Sequence, residues 1–297
     1  SCYYSDNSDS FELGNTSPDL WLDVNLPHDY IIEQTPSKEN PQALGYFKYE
    51  NAWYRKHFNV PEGCELLEAR DVQIGAKGIA FTLCWAGEER HVEAGVLGLF
   101  NVDNMIGAIG MMLASGRGLD DVIRVAERLA PPPGRLQKIT HPDEPMGVVD
   151  YCHTPDAIEK ALTTLRPVAE ARGGKLWAIV GAGGNRDPGK RPIMGAIAEK
   201  LSDKLVVTSD NPRFEDPKTI AEAVAAGAHS PEIVVDRREA IQEVFSRAGA
   251  ADVILVAGKG HEDYQEVCGV KHHFSDAEEV EAALQSRMAK EKEEKSE

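Results

Sequence analysis

Four segments of this 297-residue chain run from an apolar stretch into residue types that bind charged groups. Leu205-Val206-Val207-Thr208 breaks into Ser209-Asp210-Asn211-Pro212-Arg213. A β-branched run ending in Asp-Asn-Pro reads as a buried strand entering a tight turn. The guanidinium at its tip offers a planar fork of donors suited to bidentate capture of a carboxylate. Gly147-Val148-Val149-Asp150 leads through Tyr151-Cys152-His153 to Thr154-Pro155-Asp156, where Thr154 suits a helix N-cap and Pro155 the first helical position. Residues 176–180 run into Gly181-Ala182-Gly183-Gly184-Asn185-Arg186-Asp187-Pro188-Gly189-Lys190-Arg191-Pro192, a glycine-rich loop with three cations before a helix, which suits an anion. Gly184 to Lys190 meets the spacing of a Walker phosphate loop, but Arg191 stands where a magnesium-binding hydroxyl is required. Residues 253–257 run into Gly258-Lys259-Gly260-His261-Glu262. Taken singly, the Asn-Pro turn with a solvated arginine needs no ligand; four such segments in one chain point to a site.

The elements that must position these loops follow from the same pattern. Strand, loop and helix alternate between residues 147 and 285, which calls for an α/β fold with a mostly parallel sheet and helices on both faces. Ligands of such sheets bind beyond the carboxyl ends of the strands. A further strand is expected at Ile233-Val234-Val235-Asp236, followed by a helix over about 238–248. Upstream, residues 69–83 alternate as strand. Gly98-Leu99-Phe100-Asn101 opens an apolar helix through Leu113, and a second helix spans about 119–129. Pro131-Pro132-Pro133 then forms a stiff linker suited to a domain boundary.

Composition narrows the function. Two domains and a substantial core are expected at this length. The net charge of −17 argues against a nucleic-acid surface, so an anionic ligand needs a local basic pocket, for which Arg135, Arg186, Lys190, Arg191 and Arg213 are candidates. The five cysteines (Cys2, Cys64, Cys84, Cys152, Cys268) form no Cys-x-x-Cys and no disulfide framework, which fits a reducing cytoplasm. Cys152 reads as a small buried filler rather than a nucleophile. The chain opens on no signal peptide, and no apolar run reaches membrane-spanning length.

The motifs Asp150-Tyr151-Cys152-His153-Thr154-Pro155-Asp156, Gly183 to Pro192, Asp210-Asn211-Pro212-Arg213 and Gly258-Lys259-Gly260-His261-Glu262 resemble, in order, the C-terminal domain of the Mur ligases. The Asp-Asn-Pro-Arg form resembles the branch that adds meso-diaminopimelate to UDP-MurNAc-L-Ala-D-Glu in bacterial cell-wall synthesis. The resemblance implies a Rossmann-like C-terminal domain over 134–287 and a remnant of the family's central ATP-binding domain over 65–133; the charged residues 288–297 read as a solvated helical extension or a frayed tail. It implies that Arg186, Asp210, Asn211, Pro212, Arg213, Gly258 and Glu262 hold diaminopimelate, with Arg186 and Arg213 on its carboxylates and Glu262 on its distal ammonium. Asn101, Arg135, His153 and Lys190 match nucleotide-side positions, with Asp150 orienting the loop. His153 has a second reading as a neighbour of the helix cap, and Lys190 reads as neutralising either phosphate or a nearby acid. Leu99 departs from the arginine that family members often carry there. ATP and Mg²⁺ are the implied cofactors, and the implied chemistry is an acyl phosphate on the D-Glu side chain attacked by the diaminopimelate amine.

No Gly-Thr-x-Gly-Lys-Thr/Ser loop occurs in the chain, nor a match to the family's carbamylated-lysine segment or its uridine-nucleotide domain. The chain is therefore expected to be a truncated form that does not couple ATP, with no catalytic residue or metal ligand assigned. A non-catalytic amino-acid or nucleotide binding module is the alternative. Residues 1–64 hold six of the eight tyrosines and two of the four tryptophans. Trp21 to Tyr30 and Ala52 to Pro61 resemble the opening strands of the jelly roll in β-galactosidase-type glycoside hydrolases, with Trp53 and Tyr54 in its interior. Some sixty residues cannot close such a sandwich, so a β-rich fragment joined to an unrelated chain is expected.

Overall fold

The computed structural model describes residues 66–290 in full, the backbone of the last helix to Glu294, and the backbone of three short strands before residue 66. Two compact units, 1–64 and 65–297, divide the chain. In the first, β1 (Cys2–Ser5) pairs antiparallel with β2 (Leu22–Val24) and β3 (Trp53–Lys56). β2 and β3 fall inside the two segments read as strands. The rest of the jelly-roll reading, including an interior place for Trp53 and Tyr54, lies outside the described residues.

The second unit opens with an antiparallel meander of β4 (Glu68–Gly75), β5 (Gly78–Trp85) and β6 (Glu88–Ala94). Ile79, Phe81 and Leu83 of β5 share one face at the strand period of two and are almost fully buried. They pack with Val102, Met105 and Ile109 of α1 (Phe100–Ala114) and with Val122 of α2 (Leu119–Ala126). β6 was not expected, since Glu88-Glu89-Arg90-His91 hides the alternation that only Val92 and Ala94 reveal. α2 stops short of residue 129 because its last turn tightens: Arg128 and Leu129 donate three residues back, to Val125 O and Ala126 O.

The main sheet has the order β11-β10-β9-β12-β8-β7. It comprises β7 (Gln137–Ile139), β8 (Met146–Asp150), β9 (Leu176–Ala182), β10 (Lys204–Ser209), β11 (Glu232–Ile233) and β12 (Val253–Ala257). All pair in parallel except the edge strand β7. Residues of α3 (Pro155–Arg172), α4 (Lys190–Leu201) and α5 (Pro217–Ala225) build the core on one face, and residues of α6 (Arg237–Arg247) and α7 (Asp276–Glu294) that on the other. Thr154 caps α3, accepting from Ala157 N, with Pro155 opening the helix. The strand expected at 233–236 shrinks to β11. Val234 N and Val235 O still bond β10, but the Asp236 carboxylate turns away to cap α6. A hairpin of β13 (Tyr264–Val267) and β14 (Val270–His273) was also not expected.

One buried arginine ties the carboxyl edge of this sheet together. Arg237 is 1 % exposed, and its guanidinium makes two 2.7 Å bonds to the Asp276 carboxylate. It also donates to Ser209 O at 3.1 Å and Ala257 O at 2.9 Å, the last residues of β10 and β12. Those strands flank β9, so the guanidinium crosses β9 at Gly181. A Cβ there would stand 2.8 Å from Ser209 O and 3.1 Å from Arg237 Nη1.

Candidate functional site

Because β8, β9, β10 and β12 run parallel, the four motif loops that follow them emerge at one edge and enclose a cleft of about 540 Å³. Arg186 and Lys190 enter it from the glycine-rich loop and the start of α4. Asp210, Asn211 and Arg213 enter from the turn after β10, Gly258 and Glu262 from the loop after β12, and His153 from the loop after β8. Pro212 does not line the cleft; its carbonyl instead packs against Gly184, occupying the space a Cβ would need.

Asn211 is the hub of the site and is 2 % exposed. Its Nδ2 donates to Glu262 Oε2 at 2.8 Å, while its Oδ1 accepts from Lys259 Nζ at 3.0 Å and Glu266 N at 2.9 Å. Arg213 holds a left-handed backbone, φ +51°, which a non-glycine residue keeps only when its surroundings enforce it. β13 supplies that enforcement. Arg213 N donates to Glu266 O, Cys268 N donates to Arg213 O, and Gln265 Nε2 donates to Asp210 O. The guanidinium is aimed by Gly184 O, 2.9 Å from Nη1, and by the Glu266 carboxylate, 3.4 Å from Nε. Gly258 is required by close approach: at φ +123°, its missing Cβ leaves room for the Asp210 carboxylate.

The expected basic pocket is only partly free. Arg191 is 4 % exposed, paired with Glu215 at 2.9 Å and bonded to Gly183 O, so it shapes the glycine loop. Arg186 and Lys190 are exposed and have no hydrogen-bond or ion-pair partner among the described residues. Cys152 is buried, and burial pushes its thiol well up.

The nucleotide-side candidates divide between two clefts. His153 and Lys190 line the first, while Asn101 and Arg135 line a second of about 710 Å³. Asn101 there is engaged, donating to Leu97 O at 2.8 Å and accepting from Asn104. The Tyr151 ring contacts groups from both clefts: the Arg135 guanidinium lies 5.0 Å from its centroid, and the His153 ring stands edge-on at 4.7 Å. His153 Nδ1 donates to Tyr151 O, and Asp150 accepts from Leu136 N at 2.8 Å, which holds the linker against the loop. Among the described residues no group of three His, Cys, Asp or Glu side chains could hold a metal.

Two parts of the site carried no role in the sequence reading. Lys259 is 0 % exposed, and burial pulls its amine below the ordinary lysine value while Asp210 opposes that shift. The glycines on both sides of it were the available signal of close backbone approach. The hairpin was signalled by Cys268-Gly269, both at positive φ, between Tyr264-Gln265-Glu266-Val267 and Val270.

Residues 134–260 match the family model described as Mur ligase, glutamate ligase domain. The chain is 44% identical over 229 residues to the UDP-N-acetylmuramoyl-L-alanyl-D-glutamate–2,6-diaminopimelate ligase of Acidovorax sp. (strain JS42), covering 76% of this chain and 46% of that protein. It is 46% identical over 224 residues to the ligase of the same name from Ralstonia nicotianae, covering 74% of this chain and 44% of that one. A solved structure bearing that ligase name superposes with a TM-score of 0.63 at 39% identity, over 75% of this chain and 46% of that one. The UDP-N-acetylmuramate-alanine ligase of Thermotoga maritima shares the fold, with a TM-score of 0.51 at 20% identity over 79% of this chain and 47% of that one. The chain thus spans about half the length of the curated relatives it matches. The chain therefore belongs to the Mur ligase family, with residues 134–260 matching its glutamate ligase domain.

Proposed function

We propose that the chain is the amino-acid-binding part of an ATP-dependent ligase that adds meso-diaminopimelate to UDP-MurNAc-L-Ala-D-Glu in peptidoglycan synthesis. The observation that carries this reading is a single cleft holding an available guanidinium edge and an available carboxylate oxygen. Arg213 Nη2 and Glu262 Oε1 have no hydrogen-bond partner among the described residues, although the other polar atoms of both groups are hydrogen-bonded or ion-paired. Diaminopimelate carries an ammonium and a carboxylate at each end. In this reading Arg213 and Arg186 take its carboxylates, Glu262 takes the distal ammonium, and Asp210, Asn211, Pro212 and Gly258 shape the pocket. Charge-assisted contacts of this kind contribute about 1.5–3 kcal/mol each. Lysine has one carboxylate fewer and leaves one guanidinium unmatched, which supports discrimination between the two amino acids.

ATP, when bound in the complete ligase, supplies the phosphoryl group that activates the acceptor carboxyl. Arg135, exposed and paired among the described residues only with the Tyr151 ring, suits a phosphate; Lys190, His153 and Asn101 are proposed for the nucleotide side. Magnesium is proposed with ATP for the complete ligase, where nucleotide phosphates and water supply most of its ligands, and no side chain of this chain is assigned to it. What these residues do is hold the incoming amino acid by both ends with its attacking amine in a fixed place. We propose also that these 297 residues alone do not turn over ATP, which an ATPase assay with the UDP-dipeptide would contradict by robust turnover.

Calorimetric titration of meso-diaminopimelate into the full chain tests the binding claim. Saturable heat that disappears in Arg213→Ala and with L-lysine is expected. Equal heats for lysine and diaminopimelate would overturn the reading.

A further inference from the structure

Asn211 has a primary amide whose two ends look alike in shape, yet only one orientation can work in this site. One end faces Lys259 Nζ and Glu266 N, both of which can only donate. The other end faces the Glu262 carboxylate, which can only accept when ionised. The oxygen must therefore face the two donors and the amino group must face Glu262. A backbone N–H is common to any residue at position 266, so the selective donor is the lysine.

Lys259 has no other evident purpose at the surface, since its side chain is 0 % exposed. Its ammonium lies 3.0 Å from Asn211 Oδ1 and 3.5 Å from Glu262 Oε2. Both bonds at Glu262 fall on the same oxygen, Oε2, because Asn211 Nδ2 also donates there. Oε1 is left over, and Glu262 lines the cleft. Glu266, whose N–H completes the amide's oxygen side, also holds Arg213 Nε through its carboxylate. The anion-binding and cation-binding ends of the cleft are thus joined through one amide, and Lys259 sits beneath it.

We propose that Lys259 is a positioning residue of the amino-acid site, one that fixes the Asn211 amide and the Glu262 carboxylate so that Glu262 Oε1 is presented to an ammonium group. This rests on the functional reading above for the identity of the ligand, but not for the arrangement of the side chains. The ligand class it serves is a zwitterionic amino acid with a second ammonium-bearing end. Without the lysine, Asn211 Oδ1 keeps a single donor and Glu262 loses its nearest cation. Both groups are then held by fewer contacts, Asn211 by Glu266 N and Glu262 by Asn211 alone, and the ligand must complete their ordering on binding.

The test uses the full chain with its asparagine side chains labelled with ¹⁵N, as wild type, Lys259→Met and Lys259→Gln. In the wild type the Asn211 side-chain N–H pair is expected to be well dispersed and protected from hydrogen exchange. In Lys259→Met, which keeps an unbranched chain one atom shorter and without the donor, the pair is expected to exchange about tenfold faster or more, and meso-diaminopimelate affinity to fall by about tenfold. Lys259→Gln retains a donor and is expected to keep the protected pair; it is the variant to read if methionine prevents folding. A folded Lys259→Met chain with an unchanged Asn211 pair would overturn the proposal, as would a folded Lys259→Gln chain whose pair has lost its protection. Absence of diaminopimelate binding by the wild type counts against the functional reading instead, and the amide resonances still decide the role of Lys259.

Discussion

Both sides of the proline linker carry ion pairs in solvent, but among the described residues only the side beyond it also buries them. In residues 66–130 the ion pairs Arg70–Glu68, Arg90–Glu88 and Arg90–Asp120 lie in solvent, and the interior is purely apolar. Beyond the linker, Arg237–Asp276 is wholly buried, Lys259–Glu262 and Arg191–Glu215 are largely so, and all three gather at the carboxyl edge of the sheet. Burying a charge costs several kcal/mol in general and is sustained only by a partner in good geometry. A fold that needs only stability can keep its charges outside, as the meander does. The edge that faces the cleft keeps them inside, where they fix the directions of the groups left free to meet a ligand.

The largest effect expected from this contrast is at Arg237. Arg237→Ala leaves the Asp276 carboxylate buried without its counter-ion and is expected to cost about 3–5 kcal/mol in urea unfolding. Loss of less than about 1 kcal/mol would mean that water or a rearranged side chain reaches Asp276. Phe81→Ala is the matching change in the meander, also expected to cost about 3–5 kcal/mol, but with amino-acid affinity retained by the chain that remains folded. If affinity fell in parallel, the two regions would not be separable in the way described. Gly181→Ala is smaller. Its added Cβ meets Ser209 O and Arg237 Nη1, which is expected to cost about 1–3 kcal/mol, and measuring it in the Arg237→Ala background should show a reduced penalty. The smallest effect concerns acid. Glu199 accepts from the backbone N–H groups of Ser230 and His229, which holds its carboxyl down at about 2. A depressed carboxyl stabilises the fold above its unfolded value and loses that contribution as pH falls toward 2. Glu199→Gln is expected to flatten the stability curve in that window, and an unchanged acid limb would refute the assignment.

Much of the local structure was legible in residue order. Thr154-Pro155 announced the start of α3, the apolar runs before Asp150, Gly183, Asp210 and Gly258 announced four strands, and Phe100 to Leu113 announced α1. The loops of the cleft were recognisable because each follows a strand, whereas the individual roles expected of Asn211, Gly258 and Glu262 rested on the resemblance to the Mur ligase motifs. What escaped were elements whose pattern is diluted or short: β6 behind its charged first residues and a hairpin whose outer strand is exposed; β11 was expected, but at bounds that the capping of Asp236 cut short. Lys259 escaped as well: the glycines on either side signal close backbone approach but not the burial of the side chain between them.

The sequence by itself determined the strand–loop–helix alternation, the caps and the residue types available at each loop, because these depend on neighbours within a turn or two. Only the tertiary structure decided that β12 inserts between β9 and β8, and so brings Glu262 to Asn211, 51 residues earlier in the chain. Only it decided which cations stay available: Arg191 is taken by Glu215 and Arg237 by Asp276, while Arg186 and Lys190 remain in solvent. The reason is electrostatic. A charge is free or spent according to which opposite charge the fold carries next to it, and that depends on strand order rather than on spacing along the chain.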